Sequence, residues 1–244
     1  MRRLNHLTQN SMIKHGKKYR DAAKLIDKEV YPLAEAIELL KKTSTTKFDA
    51  SCEIHFNLDL DPRQADQNIR TTVSLPNGTG KDVTVVAFVG EEGVKAALAA
   101  GAAVAGSEEL IAKIEGGWLD FDVAVATPDQ MKSLGKIAKV LGQKRLMPSP
   151  KSGTVTPDFE KVIRELKTGK VELRVDKEGN LHNLFGKVSF DDAKLVENLK
   201  TIIRTVSEIK PASSKGTYIR SIALATTMGP SVRVEVGSAV TSSK

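Results

Sequence analysis

The sequence predicts an α/β protein in which a small α/β domain is inserted into an α+β domain. Three observations predict it. Strands that alternate strictly between apolar and polar residues occur towards both ends of the chain, continuously apolar strands occur in its middle, and the excess positive charge lies in the outer segments. We therefore expect residues 1–77 and 170–244 to form one discontinuous domain and residues 78–169 to form the inserted one.

Alternating strands define the outer domain. Residues 51–60, "SCEIHFNLDL", place five apolar side chains on one face and five polar ones on the other. "KVELRV" (170–175) and "VRVEV" (232–236) alternate in the same way. Half-buried strands of this kind are typical of an antiparallel sheet with helices on one face. Amphipathic patterns predict those helices over residues 32–42 and 191–208.

Continuously apolar strands define the middle. The segment "VTVVAFV" (83–89) is followed by "EEGVKAALAAG", "AAVAG", "SEELIAKIEGG", "FDVAVAT" and "PDQMKSLGKIAKVLG". This β-α-β-α-β-α order favours a Rossmann-like, three-layer domain with a parallel sheet. Joints rich in glycine, proline and lysine bracket it, so we expect a hinge near residues 75–80 and 167–170.

The charge distribution separates the same segments. The formal net charge is +7, of which residues 1–77 carry +3 (13 Lys and Arg against 10 Asp and Glu), residues 170–244 carry +4 (12 against 8), and residues 78–169 carry none (12 against 12). A basic outer domain favours a polyanionic partner.

Composition limits the setting of the protein. A hydrophobic content of 40% is ordinary for a soluble globular protein. The single cysteine, Cys52, excludes an internal disulfide and fits a reducing, cytoplasmic compartment. No apolar run is long enough to cross a membrane, so we expect no membrane partner.

The sequence offers no catalytic, cofactor or metal constellation. "GTGKD" (78–82) fails as a phosphate-binding loop, because Leu75 and Asp82 stand where glycine and Ser or Thr are needed. Glu91 and Glu92 in "FVGEEGV" would repel a pyrophosphate. Asp61-Pro62 is most simply a turn. The four histidines are scattered without ligand spacing. We therefore expect no enzyme activity, no cofactor and no small-molecule substrate.

Eight stretches carry a resemblance to a known family. They are "KFDAS" (47–51), "DPRQADQNIR" (61–70), "LPNGTGK" (75–81), "GGWLDFDVAVATPD" (116–129), "LMPSPKSGTVTP" (146–157), "GKVSF" (186–190), "KGTY" (215–218) and "TTMGPSV" (226–232). In this order and spacing they closely resemble the bacterial large-subunit ribosomal protein L-one family, the protein of the mobile stalk beside the tRNA exit site. The resemblance spans about residues 14–236.

The resemblance implies a two-domain RNA-binding protein. It implies binding to large-subunit rRNA at the stalk, assistance to the release of deacylated tRNA from the exit site, repression of the protein's own operon mRNA, and a monomer outside the ribosome. The implied RNA-binding residues are Lys47, Phe48, Ser51, Asp176, Ser221, Thr227, Met228 and Gly229. We further expect phosphate contacts from Lys14, Lys17, Lys18 and Lys187.

These residue types suit folded RNA. Threonine hydroxyls can donate to and accept from a 2′-OH, Met228 and Phe48 offer apolar contact to nucleotides, and Gly229 allows a close approach to its backbone. Structural alternatives remain for each: Phe48 as a core residue, Thr227 as a strand end, Gly229-Pro230 as a plain turn, and the lysines as solvated surface.

The chain departs from the family pattern at three positions. Gln143 and Arg145 replace the usual proline and glycine before "LMPSPK", and Thr71 stands where glycine is common. Because arginine disfavours a positive φ, we expect a rearranged loop at Arg145. We cannot assign the first ten residues. Two further functions remain as alternatives: a stand-alone RNA-binding repressor and a small-molecule α/β enzyme.

Overall fold

A computed structural model describes residues 15–64, 66–214, 216–237 and 239. Its helices are α1 Lys17–Ala23, α2 Leu33–Lys42, α3 Glu91–Ala99, α4 Glu108–Glu115, α5 Met131–Leu134, α6 Ala138–Gln143, α7 Phe159–Thr168 and α8 Asp192–Glu208. Its strands are β1 Ser51–Leu58, β2 Arg70–Ser74, β3 Val85–Phe88, β4 Val104–Gly106, β5 Val123–Ala126, β6 Lys170–Arg174, β7 Asn180–Lys187, β8 Ile219–Thr226 and β9 Val232–Val234. The predicted α/β class is confirmed.

The outer segments form a four-stranded antiparallel sheet in the order β7-β1-β8-β9. Along β1 every second side chain is buried, as the alternation of its sequence predicts. Cys52, Ile54, Phe56 and Leu58 point inwards and are at most 2% exposed. The opposite face of β1 therefore carries only polar side chains.

Two helices cover the inner face of this sheet. Helix α2 contacts β8, β9 and α8, and α8 contacts β7. Helix α8 turns one apolar stripe to the sheet, with buried side chains at Leu195, Leu199, Ile202, Ile203 and Val206. One hydrophobic cluster joins these residues to the inner face, and all its buried members lie in residues 31–75 and 173–239.

The middle segment forms a three-stranded parallel sheet in the order β4-β3-β5. All four residues of β3 are buried. Val86 and Phe88 pack against α4, α5 and α6 on one face, whereas Val85 and Ala87 pack against α3 and α7 on the other. Helices therefore cover both faces, which explains why the sequence of β3 is continuously apolar.

Four elements differ from the sequence-based expectation: the last helix of the middle segment, β2, β6 and β7. The last helix of the middle segment is interrupted: α5 and α6 are separated by the 3-10 turn Gly135–Ile137, and glycine is a poor residue for a helix interior. In addition, β2 pairs with β6 in a separate two-stranded antiparallel sheet. Neither β2, "RTTVS", nor β7, "NLHNLFGK", has a strict alternation, so neither was predicted.

The two joints between outer and middle segments lie against each other. The Leu75 N–H donates to the carbonyl of Gly169 at 3.2 Å. A Cβ on Gly169 would lie 2.4 Å from Cα of Gly78, so this crossing requires glycine. The buried Asn198 side chain of α8 donates to the carbonyls of Gly78 and Phe185, at 2.9 and 2.8 Å. The joints are thus hydrogen-bonded to each other and to α8.

Candidate RNA-binding surface

The helices that pack on the four-stranded sheet within the described residues lie on its apolar side, which leaves its polar side uncovered by them. We call it the open face: Ser51, Glu53, His55 and Asn57 of β1, with their outward-pointing neighbours on β7 and β8. Ser51 pairs with Lys187, and Asn57 pairs with Asn180 and Ser221. Ser51 and Asn57 are six residues apart, which corresponds to about 20 Å along an extended strand.

The turn after β8 stands at the Ser51 end of the open face. The N–H of Gly229 donates to the carbonyl of Thr226 at 2.9 Å, which closes the turn. A Cβ at residue 229 would lie 2.2 Å from Oγ1 of Thr226. The turn itself therefore requires glycine here, independently of any close approach by RNA.

Met228 occupies an unusual backbone conformation in this turn. Its φ is 66°, in the left-handed region that non-glycine residues rarely adopt. Its side chain is 74% exposed. A methionine that is both conformationally disfavoured and exposed contributes little to the fold, and such residues cluster at functional sites.

Phe48 is the second large apolar side chain near this end of the sheet, and it is 59% exposed. The alternative that Phe48 is a core residue is therefore wrong. Lys47 beside it is exposed as well. The backbone carbonyl of Phe48 accepts a hydrogen bond from Oγ1 of Thr46 at 3.1 Å, which helps to order the segment that leads into β1.

Thr227 is bound to Ser51 across the start of β1. The N–H of Thr227 donates to the Ser51 carbonyl at 3.0 Å, and the N–H of Ser51 donates to Oγ1 of Thr227 at 3.2 Å. The side chain of Lys187, on the other side of Ser51, reaches the Asp49 carbonyl at 3.4 Å. Lys187, Ser51 and Thr227 thus form one row across three adjacent segments.

A second row crosses the sheet at Asn57. The Asn57 side chain donates to Oδ1 of Asn180 at 2.8 Å, and Ser221 is exposed on the other side of Asn57. Asp176 begins the turn before β7, where its Oδ1 accepts from the N–H groups of Glu178 and Asn180, both at 2.8 Å. Partial burial would raise the pKa of Asp176, but these N–H donors outweigh it and hold the pKa below its usual range. Asp176 is therefore an ionised acceptor that also shapes its turn.

Between the two rows lie His55 and His182, whose positions in the sequence predict no contact between them. Nδ1 of His55 lies 2.9 Å from Nδ1 of His182, and Nε2 of His182 lies 3.4 Å from a carboxylate oxygen of Asp176. Burial, followed by the neighbouring His182 charge, lowers the pKa of His55. The contact follows from the pairing of His55 with His182 across β1 and β7, so it can be predicted only when β7 and its register are known.

The remaining predicted phosphate contacts lie elsewhere. Lys17 and Lys18 are exposed on α1, and no hydrogen bond or ion pair within the described part of the chain joins either to the open face. Lys14 lies outside the described residues. The open face and the segments at its two ends therefore bring together Lys47, Phe48, Ser51, Asp176, Lys187, Ser221, Thr227, Met228 and Gly229. Lys17 and Lys18 lie apart from them.

Other kinds of site are not evident. Across residues 15–64, 66–214, 216–237 and 239, no group of three or more His, Cys, Asp or Glu side chains is placed to hold a metal ion. Burial raises the pKa of the Cys52 thiol to about 12, so this side chain is a packing residue rather than a nucleophile. None of the described helices combines the length and apolarity needed to span a bilayer.

Residues 40–230 match the ribosomal protein L1p/L10e family. The chain belongs to that family. Family membership identifies it as an RNA-binding protein of the large ribosomal subunit, from a family of structural proteins rather than enzymes. Every implied RNA-binding residue and Lys187 fall inside the matched range, whereas Lys14, Lys17 and Lys18 precede it.

Proposed function

We propose that the open face, together with Phe48 and the Thr226–Gly229 turn, is the surface that binds large-subunit rRNA at the mobile stalk. The supporting observation is that the implied residues come from four separate parts of the chain, 47–51, 176–187, 221 and 227–229, yet share one face and its ends. Phe48 and Met228 are both exposed there, as contact with nucleotides requires.

The available hydrogen-bonding groups fit folded RNA. Within the described residues, no protein group hydrogen-bonds to the hydroxyls of Ser51 and Ser221, so both can donate to or accept from a 2′-OH. Ala223 and Ala225 lie between them on β8, and their short side chains protrude little from the sheet. Lys47 and Lys187 supply phosphate contacts, which bind RNA with little sequence preference.

The two-domain organisation is part of the proposal. Residues 1–77 and 170–244 form the RNA-binding domain, and residues 78–169 form the inserted domain. Support comes from the hydrophobic clusters, because the buried residues of the outer cluster and of the two middle clusters come from different segments. The glycine joints around Gly78 and Gly169 are the only covalent connections between the segments, and we propose them as the hinge.

The finer roles follow from the family. We propose that the protein, a monomer when free, assists release of deacylated tRNA from the exit site and represses its own operon mRNA in the cytoplasm. Repression would use the same open face, with an mRNA that imitates the rRNA site. A small-molecule enzyme is not supported, because the strand ends of the parallel sheet lead into acidic segments such as Glu91-Glu92.

A salt-titrated binding assay tests the proposed surface. The full chain is titrated with the stalk fragment of large-subunit rRNA and with a shuffled hairpin of equal length, beside the variant Thr227→Ala/Met228→Ala. The matched control is Leu98→Ala, which removes an exposed apolar side chain from α3 in the middle segment. We expect the double variant to lose the preference for the stalk fragment while the dependence on salt persists.

Two results would contradict this assignment. If the wild type binds both RNAs equally, the chain is merely a basic protein and has no specific site. If Leu98→Ala reduces the preference as strongly as the double variant does, the specificity does not reside in the turn.

A further inference from the structure

His55 and His182 lie directly opposite each other at the centre of the open face, between the row at Ser51 and the row at Asn57. Their Nδ1 atoms are 2.9 Å apart and their ring centroids are 5.0 Å apart. The difference between these two distances is close to two ring radii, so the nitrogens point at each other. Two lone pairs facing each other at this distance would repel, so one ring donates a proton to the other. A metal ion on the same line would need about 4 Å between the nitrogens. The gap therefore holds a proton.

A carboxylate stands behind each ring. Nε2 of His182 lies 3.4 Å from an oxygen of Asp176, and Nε2 of His55 lies 3.8 Å from an oxygen of Glu53. A neutral pair carries two protons on its four nitrogens. One proton is shared between the Nδ1 atoms, so one of the two Nε2 atoms faces its carboxylate without a proton. A third proton fits on that nitrogen and leaves the bond between the rings intact.

The free protein resists this third proton. Burial, followed by the neighbouring His182 charge, lowers the pKa of His55, and Glu53 offsets only part of that effect. An added negative charge near the pair would favour the protonated form. The pair is therefore sensitive to an anion that arrives at the open face.

The charges around the pair are nearly balanced. On β8 the residues that face it are Ser221, Ala223 and Ala225, which do not titrate, and on β7 its neighbours are Asn180 and Leu184. Next to His182, Arg70 forms an ion pair with Glu172. The other charged groups that line the same cleft as His182 are Arg145, Arg174, Lys177, Asp176 and Glu178. A bound phosphate would therefore change the local charge decisively.

We propose that the His55–His182 pair couples RNA binding on the open face to proton uptake, so that the complex tightens as the pH falls from about 8 to about 6. This inference rests on the proposed function of the open face. RNA that contacts both the Ser51 row and the Asn57 row covers the pair, and its phosphate charge stabilises the third proton. By linkage, a proton held more tightly in the complex strengthens RNA binding by the same factor.

Calorimetric titration of the full chain with the stalk fragment, at about pH 6, 7 and 8, tests the coupling. Two buffers with different ionisation enthalpies are used at each pH, because the difference in heat counts the protons taken up. His55→Gln removes one ring of the pair, and His182→Gln leaves His55 without its like-charged neighbour. The matched control is His15→Gln, which removes an exposed histidine that stacks on Tyr19 before the outer sheet begins.

We expect the wild type and His15→Gln to take up a fraction of one proton and to bind about threefold to tenfold more tightly at about pH 6 than at about pH 8, since one unit of pKa change corresponds to about tenfold. His55→Gln should lose both the uptake and the pH dependence. His182→Gln should keep them with the midpoint moved to higher pH, because a like charge is removed.

Two results would overturn the coupling and leave the open face standing. One is a wild type that prefers the stalk fragment to the shuffled hairpin but takes up no proton. The other is a His55→Gln variant that takes up as many protons as His15→Gln does. If the wild type has no preference for the stalk fragment at any pH, the proposed function fails and the coupling fails with it.

Discussion

The four-stranded outer sheet and the three-stranded middle sheet differ in how many faces they bury. The middle sheet is covered on both faces, so each residue of β3 is committed to packing. The outer sheet is covered on one face only, and β1 alternates between core and surface at every residue. A half-covered sheet can display polar groups on a rigid frame, whereas a fully covered one cannot. This difference explains why the proposed RNA-binding residues gather on the outer sheet and not on the middle one.

The largest difference in stability should appear when a phenylalanine in each region is replaced by alanine. Phe88 on β3 is fully buried and Phe48 is 59% exposed. Phe88→Ala should lower the free energy of unfolding by about 3–5 kcal/mol, because it removes buried apolar surface and leaves a cavity. Phe48→Ala should change it by less than about 0.5 kcal/mol but weaken binding to the stalk fragment.

Urea unfolding and RNA titration of both variants check this pair. Trp118, the single tryptophan, packs against Phe121 in the middle segment and reports its unfolding by fluorescence. If the two substitutions lower the free energy of unfolding equally, the assignment of Phe88 to the core and Phe48 to the surface is contradicted.

The next effect concerns the joints that connect the regions. Gly169→Ala should destabilise the protein by about 2 kcal/mol or more, because it combines a φ of 116° with a Cβ placed 2.4 Å from Cα of Gly78. Gly117→Ala is the matched control: φ is 97° there, and no atom lies within 4 Å of the added Cβ. The difference between the two variants in free energy of unfolding, measured with urea, gives the destabilisation caused by the contact with Gly78 alone. A similar loss in both variants would mean that the close approach of the joints contributes nothing.

A smaller effect of opposite sign is expected in the turn. Met228→Gly should stabilise the protein by about 0.5–1 kcal/mol, because glycine adopts a φ of 66° without strain, and it should weaken RNA binding. Met228→Leu keeps both the strain and the apolar side chain, so its stability and affinity should stay near those of the wild type. Thermal unfolding and RNA titration measure both. Tighter RNA binding by Met228→Gly would show that the side chain is not used.

The smallest effect is a pH dependence of the open face. Because burial and the neighbouring His182 lower the pKa of His55, with Glu53 acting in the opposite direction, the folded protein binds a proton at His55 less readily than the unfolded chain does. Stability should therefore fall slightly as the pH drops below the ordinary histidine pKa of about 6.5, and the loss should be complete below the folded pKa. Unfolding of wild type and His55→Gln between pH 5 and 8 (about the window in which histidine titrates) measures it, and an NMR titration placing the His55 pKa at or above its ordinary value would contradict the cause.

The sequence predicts those features of the fold that follow from the residue pattern within a single strand. The alternation of residues 51–58 and the apolar run of β3 identify their burial directly, because burial follows from local periodicity. It does not predict β2, whose "RTTVS" owes its structure to pairing with β6. The contact between His55 and His182 also depends on the register in which β1 pairs with β7. A single sequence does not specify how two distant segments approach each other.

The position of β1 sets the order in which the protein can form. Its neighbours in the sheet are β7 and β8, which begin 122 and 161 residues after Leu58, at Asn180 and Ile219. During synthesis the middle segment, whose contacts lie within residues 83–166, can fold while β1 still has no partner. Long-range pairing of this kind is slow because the intervening chain must first be closed into a loop. A nascent chain therefore acquires the proposed RNA-binding face only after β8 has been synthesised, and we expect shorter chains to lack it.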